Sequence, residues 1–229
     1  MNDPLNNFDW LTLYERYDSR CSGFNQDALK LGIFDREGLS RPAIDRELYY
    51  KLVSIFSQVN IHSHAEPIEA YEALLYWKLY SQRAAIFNLE NIWLPEHSTK
   101  RAKSQDILKT LLSELPISIE HSATEVIDLI KWLGKFSLLG MASSTAIPVR
   151  TTFLHFIYPE VVPIFDKMVL RAIGVWDKNA NQSYRVLGEY LPFSWELAER
   201  YRNQVVLTKN ESPVRAIDMA LWVGRGVVK

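Results

Sequence analysis

A chain of 229 residues with 48% hydrophobic, 12% aromatic and 23% charged residues carries enough apolar surface to offset chain entropy, which excludes intrinsic disorder. Lys and Arg number 26 against 27 Asp and Glu, and a net charge of -1 excludes the wholesale basic excess of many nucleic-acid binders, so any site for a polyanion must be local. The lone cysteine, Cys21, excludes an intrachain disulfide, a four-cysteine zinc site and a cysteine-ligated iron-sulfur cluster, and fits a reducing, cytoplasmic compartment. No basic-then-apolar leader opens the chain, and no run reaches the roughly 18 apolar residues of a membrane span, so a soluble protein with no membrane partner is expected.

The segment up to Pro42 carries Phe8, Trp10, Leu13, Tyr14 and Tyr17, which read as one helix, and then a loop through Gly38. Apolar residues next recur at helical spacing in Leu48, Leu52, Ile55, Phe56 and Val59, and again in Ala70, Ala73, Leu74, Trp77 and Ala84. Pro67, beside Glu66, Glu69 and Glu72, marks a helix start, because proline fits the first turn and acidic groups there oppose the macrodipole. The polar stretch from Glu96 to Ser104, with Lys100, Arg101 and Lys103, is the expected seam between two lobes. Ile107, Leu111, Leu112 and Leu115 continue the rhythm up to Pro116, followed by Val126, Leu129, Ile130 and Leu133, and later by Val214, Ile217 and Leu221. Pro95, Pro159, Pro163, Pro192, Pro213 and the polar turn from Asp177 to Ser183 read as punctuation. The prediction is an all-α fold of about eight to ten helices, a single compact domain over 1–229 with two lobes meeting near 96–104.

Chemistry concentrates between Trp132 and Trp176. Leu138-Leu139-Gly140-Met141-Ala142-Ser143-Ser144-Thr145-Ala146 reads as a small-residue turn leading into a new helix, with Ser and Thr available as caps. Such a turn can cradle a phosphate. Val162-Pro163-Ile164-Phe165-Asp166-Lys167-Met168-Val169-Leu170-Arg171-Ala172-Ile173-Gly174 places Asp166 at the mouth of a helix that ends in glycine, where its carboxylate should accept backbone N–H bonds.

Together the two pieces resemble the helix-hairpin-helix (HhH-GPD) base-excision DNA glycosylase superfamily over about residues 138–174. Leu138, Gly140, Ser144, Thr145 and Ala146 match the hairpin, and Pro163-Ile164-Phe165-Asp166 matches the element that opens the following helix. The resemblance implies a two-lobed helical body with a cleft, Asp166 as catalytic carboxylate, and duplex DNA as partner. Backbone phosphate would be gripped at Gly140, Ser144 and Thr145, with Arg150 and Lys167 as further contacts. Ala142 stands where the family has its second hairpin glycine, and Pro148 falls early in the intervening helix. Ser144 stands where lyase-competent members carry lysine, so the implied route is hydrolytic. A carboxylate suits it by stabilising the oxocarbenium-like sugar or deprotonating the attacking water. Trp132, Phe136, Phe153, Phe156 and Trp176 are close enough in sequence to line a pocket for an extruded base, although each reads first as a core residue.

Two other classes stay open. The same scaffold could serve as a non-catalytic module for another protein or a small ligand, with Asp166 an ordinary N-cap. An unrelated helical enzyme could use His62, His64 or Glu66, although that spacing aligns metal ligands only in an extended strand. No metal or other cofactor is expected. His155 reads as a satisfied buried histidine, and Arg215 with Asp218 as an ion pair on a last helix that Ser212 caps and that buries Trp222.

Overall fold

Apolar residues at three-and-four spacing close into helices throughout the computed structural model, which describes residues 12, 13, 17, 45–57, 61, 67–79, 88, 99–143, 146–203 and 211–224. Among these run α1 (Asp45–Phe56), α2 (Pro67–Leu79), α3 (Thr99–Glu114), α4 (Ala123–Leu133), α5 (Ile147–Ile157), α6 (Lys167–Ala172), a 3-10 turn (Ala180–Gln182), α7 (Tyr184–Tyr201) and α8 (Pro213–Gly224). The described residues contain no strand, so the fold is all-α as the periodicity predicts. None of their helices is long and apolar enough to cross a membrane.

The centre is α5. Every residue from Ile147 to Ile157 except Pro148 is buried, and a helix enclosed on all sides belongs in the core. It packs against α1, α2, α4 and the 3-10 turn. Phe153 meets Phe56 and Tyr71 edge-on, each at 5.8 Å between ring centres, and Phe156 meets Trp77 at 5.3 Å. Edge-to-face contacts of this kind add about 0.5–1.5 kcal/mol each beyond the area they bury. Around this core, α3 packs on α2, α7 on α4 and α8, and α6 on α8.

Local sequence sets the helix starts. Ser122 accepts the Glu125 N–H at 3.3 Å, which satisfies one orphan donor at the head of α4, and the Glu125 carboxylate reaches back to the Glu120 N–H at 3.1 Å in the segment that leads into the helix. Ser183 caps α7 through the Val186 N–H, and Ser212 caps α8 through the Arg215 N–H. The expected Ser or Thr cap of α5 is not what stands at its start: Ala146 holds the N-cap position without a side-chain bond, and Pro148 sits in the first turn.

One reading of punctuation is corrected. Pro192 lies inside α7, which continues because Leu187, Tyr190, Leu191, Ser194, Leu197, Ala198 and Tyr201 are all buried and outweigh the lost hydrogen bond. Within the polar stretch read as the seam, Thr99 to Ser104 form the first turn and a half of α3. Arg101 Nε donates to Glu72 at 2.8 Å, and the Ile68 N–H donates to Gln105 Oε1 at 3.0 Å, tying α3 to α2. Of the N-terminal helix and loop, only Thr12, Leu13 and Tyr17 are described; Cys21 and the rest lie outside the described residues.

Candidate functional site

Asp166 is the N-cap of α6, as its position before an apolar helix predicts. Its extended backbone turns the carboxylate back onto the helix, where Oδ1 accepts the Met168 N–H at 2.7 Å. Oδ2 accepts from Lys78 Nζ at 3.0 Å. The side chain of Asp166 is 29% exposed and that of Lys78 only 8%, so the carboxylate faces solvent on one side while the ammonium reaches it from within. Lys78 closes the last turn of α2. Sequence reasoning passed over it, yet the signal is there: a single cation in the apolar run Ala-Leu-Leu-Tyr-Trp-Lys-Leu must find an anion once that run is buried.

The proposed phosphate turn divides. Gly140 adopts φ +78, a conformation glycine reaches without strain, and a side chain there would press on Val149 and Leu75. Ser144 and Thr145 lie outside the described residues. Lys167, the first residue of α6, is half-buried. Arg150 is 3% exposed, and its guanidinium is turned inward. It donates to the Met141 carbonyl at 2.5 and 2.9 Å, to that of Ser143 at 2.7 Å and to the Tyr184 hydroxyl at 3.1 Å. In this position Arg150 braces the turn that Gly140 shapes, and its donors are not presented to solvent.

The aromatic residues divide as well. Phe153 and Phe156 are fully buried in the core, and Trp132 and Phe136 are half-buried and pair with each other at 4.8 Å. Trp176 alone of the five is exposed, at 60%.

Behind Lys78 lies a buried polar cluster. The Arg215 guanidinium sits 4.7 Å from the Tyr49 ring, 5.1 Å from Tyr17 and 5.4 Å from Trp77, and pairs with Asp218 one turn along α8. Burial pushes the Asp218 carboxyl up to about 6, against the pull of Arg215 and Lys78. His155 is fully buried, with Nδ1 2.6 Å from the Val162 carbonyl and Nε2 2.8 Å from the Tyr49 hydroxyl. Burial first, then the Arg215 charge, lower it to about 3, so it is a neutral hydrogen-bonding core residue, as expected. A groove of about 190 Å³ lies elsewhere, walled by His121, Glu160, Trp195, Glu199 and Arg202 among others, and none of the proposed site residues lines it. His62, His64 and Glu66 lie outside the described residues; among the described ones, no group of three His, Cys, Asp or Glu is placed to hold a metal.

No family model, curated protein or solved structure matches this chain. The site must therefore be read from its own residues. A carboxylate oriented by a backbone N–H and an ammonium, with 29% of its side chain exposed, can stabilise a cation forming in front of it or position a water.

Proposed function

We propose that this protein is a DNA-glycosylase-like hydrolase on a two-lobed helical scaffold, and that Asp166 is the carboxylate that supports cleavage of a base N-glycosidic bond. The supporting observation is the partly exposed Asp166 at the head of α6, held by the Met168 N–H and by Lys78 among others. Leaving of the base puts positive charge on the sugar, and a fixed anion beside it lowers the barrier without having to reorganise. The base must first leave its stack, at about a few kcal/mol, which favours damaged or mismatched pairs. With serine in the hairpin position where the lyase members have lysine, water is the acceptor, and an abasic site is the product.

The test uses duplex oligonucleotides, each with one damaged or mismatched base, and reads strand breaks after alkali. Asp166→Asn alone is ambiguous, because it strands the buried Lys78 without its anion and costs stability on that account. The double variant Asp166→Asn/Lys78→Met removes that burden. Breaks with the wild type that vanish in both variants, while the double variant melts near the wild-type temperature, are the expected result. No breaks on any duplex, together with no retention of a duplex carrying an abasic analogue at low salt, would overturn the reading. A second reading, a non-catalytic binding module, draws support from Arg150, whose donors are taken up by protein oxygens. It predicts that Asp166→Asn changes stability and nothing else.

A further inference from the structure

The chain leaves α6 through two successive hydrogen-bonded turns with Trp176 between them. At the helix end the Gly174 N–H donates to the Arg171 carbonyl at 3.1 Å and the Val175 N–H to the Leu170 carbonyl at 2.9 Å, with Gly174 at φ +84. This is the Schellman pairing, and it reverses the chain at a defined angle. Beyond Trp176, Asp177 Oδ1 accepts the Asn179 N–H at 2.9 Å and its carbonyl accepts the Ala180 N–H at 3.2 Å. An indole on backbone tied down at both sides loses little freedom when a partner covers it. Trp176 is 60% exposed and has no ring partner among the described residues, whereas Tyr17, Tyr49, Trp77, Trp132 and Trp195 all contact other rings.

The charge around it has one sign to spare. Lys167 and Arg171 stand four residues apart on one face of α6, and Lys178 follows Trp176. None of the three forms an ion pair among the described residues. The surface cations Lys131, Arg185, Arg200 and Arg202 each pair with a carboxylate within a turn of their own helix. Of the two local carboxylates, Asp166 is matched by Lys78, and Asp177, which accepts the Asn179 N–H but keeps its charge, offsets one of the three cations. An exposed aromatic side chain close in sequence to cations that form no ion pair among the described residues fits a chain of unstacked bases on a phosphate backbone.

We infer that Trp176, with Lys167, Arg171 and Lys178, forms a stacking platform for a single-stranded or extruded stretch of nucleic acid. The inference rests on the nucleic-acid reading of Asp166, which stands at the other end of α6, but is tested separately. A fluorescein-labelled oligothymidine of about 15 nucleotides, followed by anisotropy at low salt, is the probe. The wild type should bind it, Trp176→Ala should weaken binding about tenfold, Trp176→Phe should retain most of it, and Arg171→Glu/Lys178→Glu should flatten the dependence on salt. Equal binding by wild type and Trp176→Ala overturns the platform, as does retention by phosphatidylserine vesicles but not by the oligonucleotide. If the platform fails while duplex substrates are still cleaved, excision stands without it; if Trp176 binds the oligonucleotide and no duplex is cleaved, the reverse holds.

Discussion

Arg150 is a buried cation whose guanidinium is surrounded by carbonyl oxygens, a hydroxyl and the end of a helix. Its Nη1 lies 3.5 Å from the Ile130 carbonyl in the last turn of α4, where the helix dipole presents its negative end. Room for the guanidinium comes from Gly134, where an added methyl group would lie 2.7 Å from the Arg150 Cζ. The backbone of Gly134 is ordinary helical geometry at φ -66, so this glycine is required by the approach of a side chain and not by its own conformation. Gly134→Ala should therefore displace the guanidinium from the Met141 and Ser143 carbonyls and cost about 1–3 kcal/mol, read as a lower urea midpoint. In an Arg150→Met background the same change should cost clearly less, because the group it displaces is gone. Equal costs in the two backgrounds would show that Gly134 and Arg150 are uncoupled.

The helices show which parts of the sequence were legible. Leu111 and Leu112 of α3 and Val126, Ile130 and Leu133 of α4 are buried at the spacings their periodicity announces, whereas Ile107, Leu115 and Leu129 are only half-buried and Leu108 takes the buried place beside Leu111; the Asp166 cap and the Arg215 to Asp218 pair follow from local sequence alone. What escaped depends on partners far along the chain. Lys78 and Asp166 are 88 residues apart, and nothing local tells that one will answer the other. The inward turn of Arg150 depends equally on Tyr184, and the passage of α7 through Pro192 on the burial of its other face. Ser212 belongs to both classes: its cap of α8 was readable, while its donation to the Pro159 carbonyl at 2.7 Å was not. Ser212→Ala should thus cost more than a surface cap, about 2 kcal/mol, since it also orphans a partly buried carbonyl; a loss of a few tenths would mean that water replaces the hydroxyl at both positions.

Across the whole molecule, stability against pH sums every group whose proton affinity changes on folding, and two groups near Arg215 pull it in opposite directions. His155 is lowered from 6.5 to about 3, so the unfolded chain takes up its proton first, and the stability His155 contributes is full above about pH 6.5 and lost as pH falls toward 3. Asp218 is raised from 3.8 to about 6, so the folded chain keeps its proton longer; its contribution is full below about pH 4 and lost as pH rises through 6. Between pH 4 and 6 the two slopes, each up to about 1.4 kcal/mol per pH unit, oppose one another. The expected wild-type profile in that window is shallow, and each variant should uncover the remaining slope. Asp218→Asn removes the titration of Asp218 and leaves that of His155, so it should lose stability steeply as pH falls from 6 to 4. His155→Gln should do the opposite and weaken as pH rises over the same interval. Urea midpoints taken at half-unit steps from pH 4 to 7 read both slopes, and parallel profiles for the wild type and Asp218→Asn would show that Asp218 stays ionised in the fold, held by Arg215 and Lys78 against its burial.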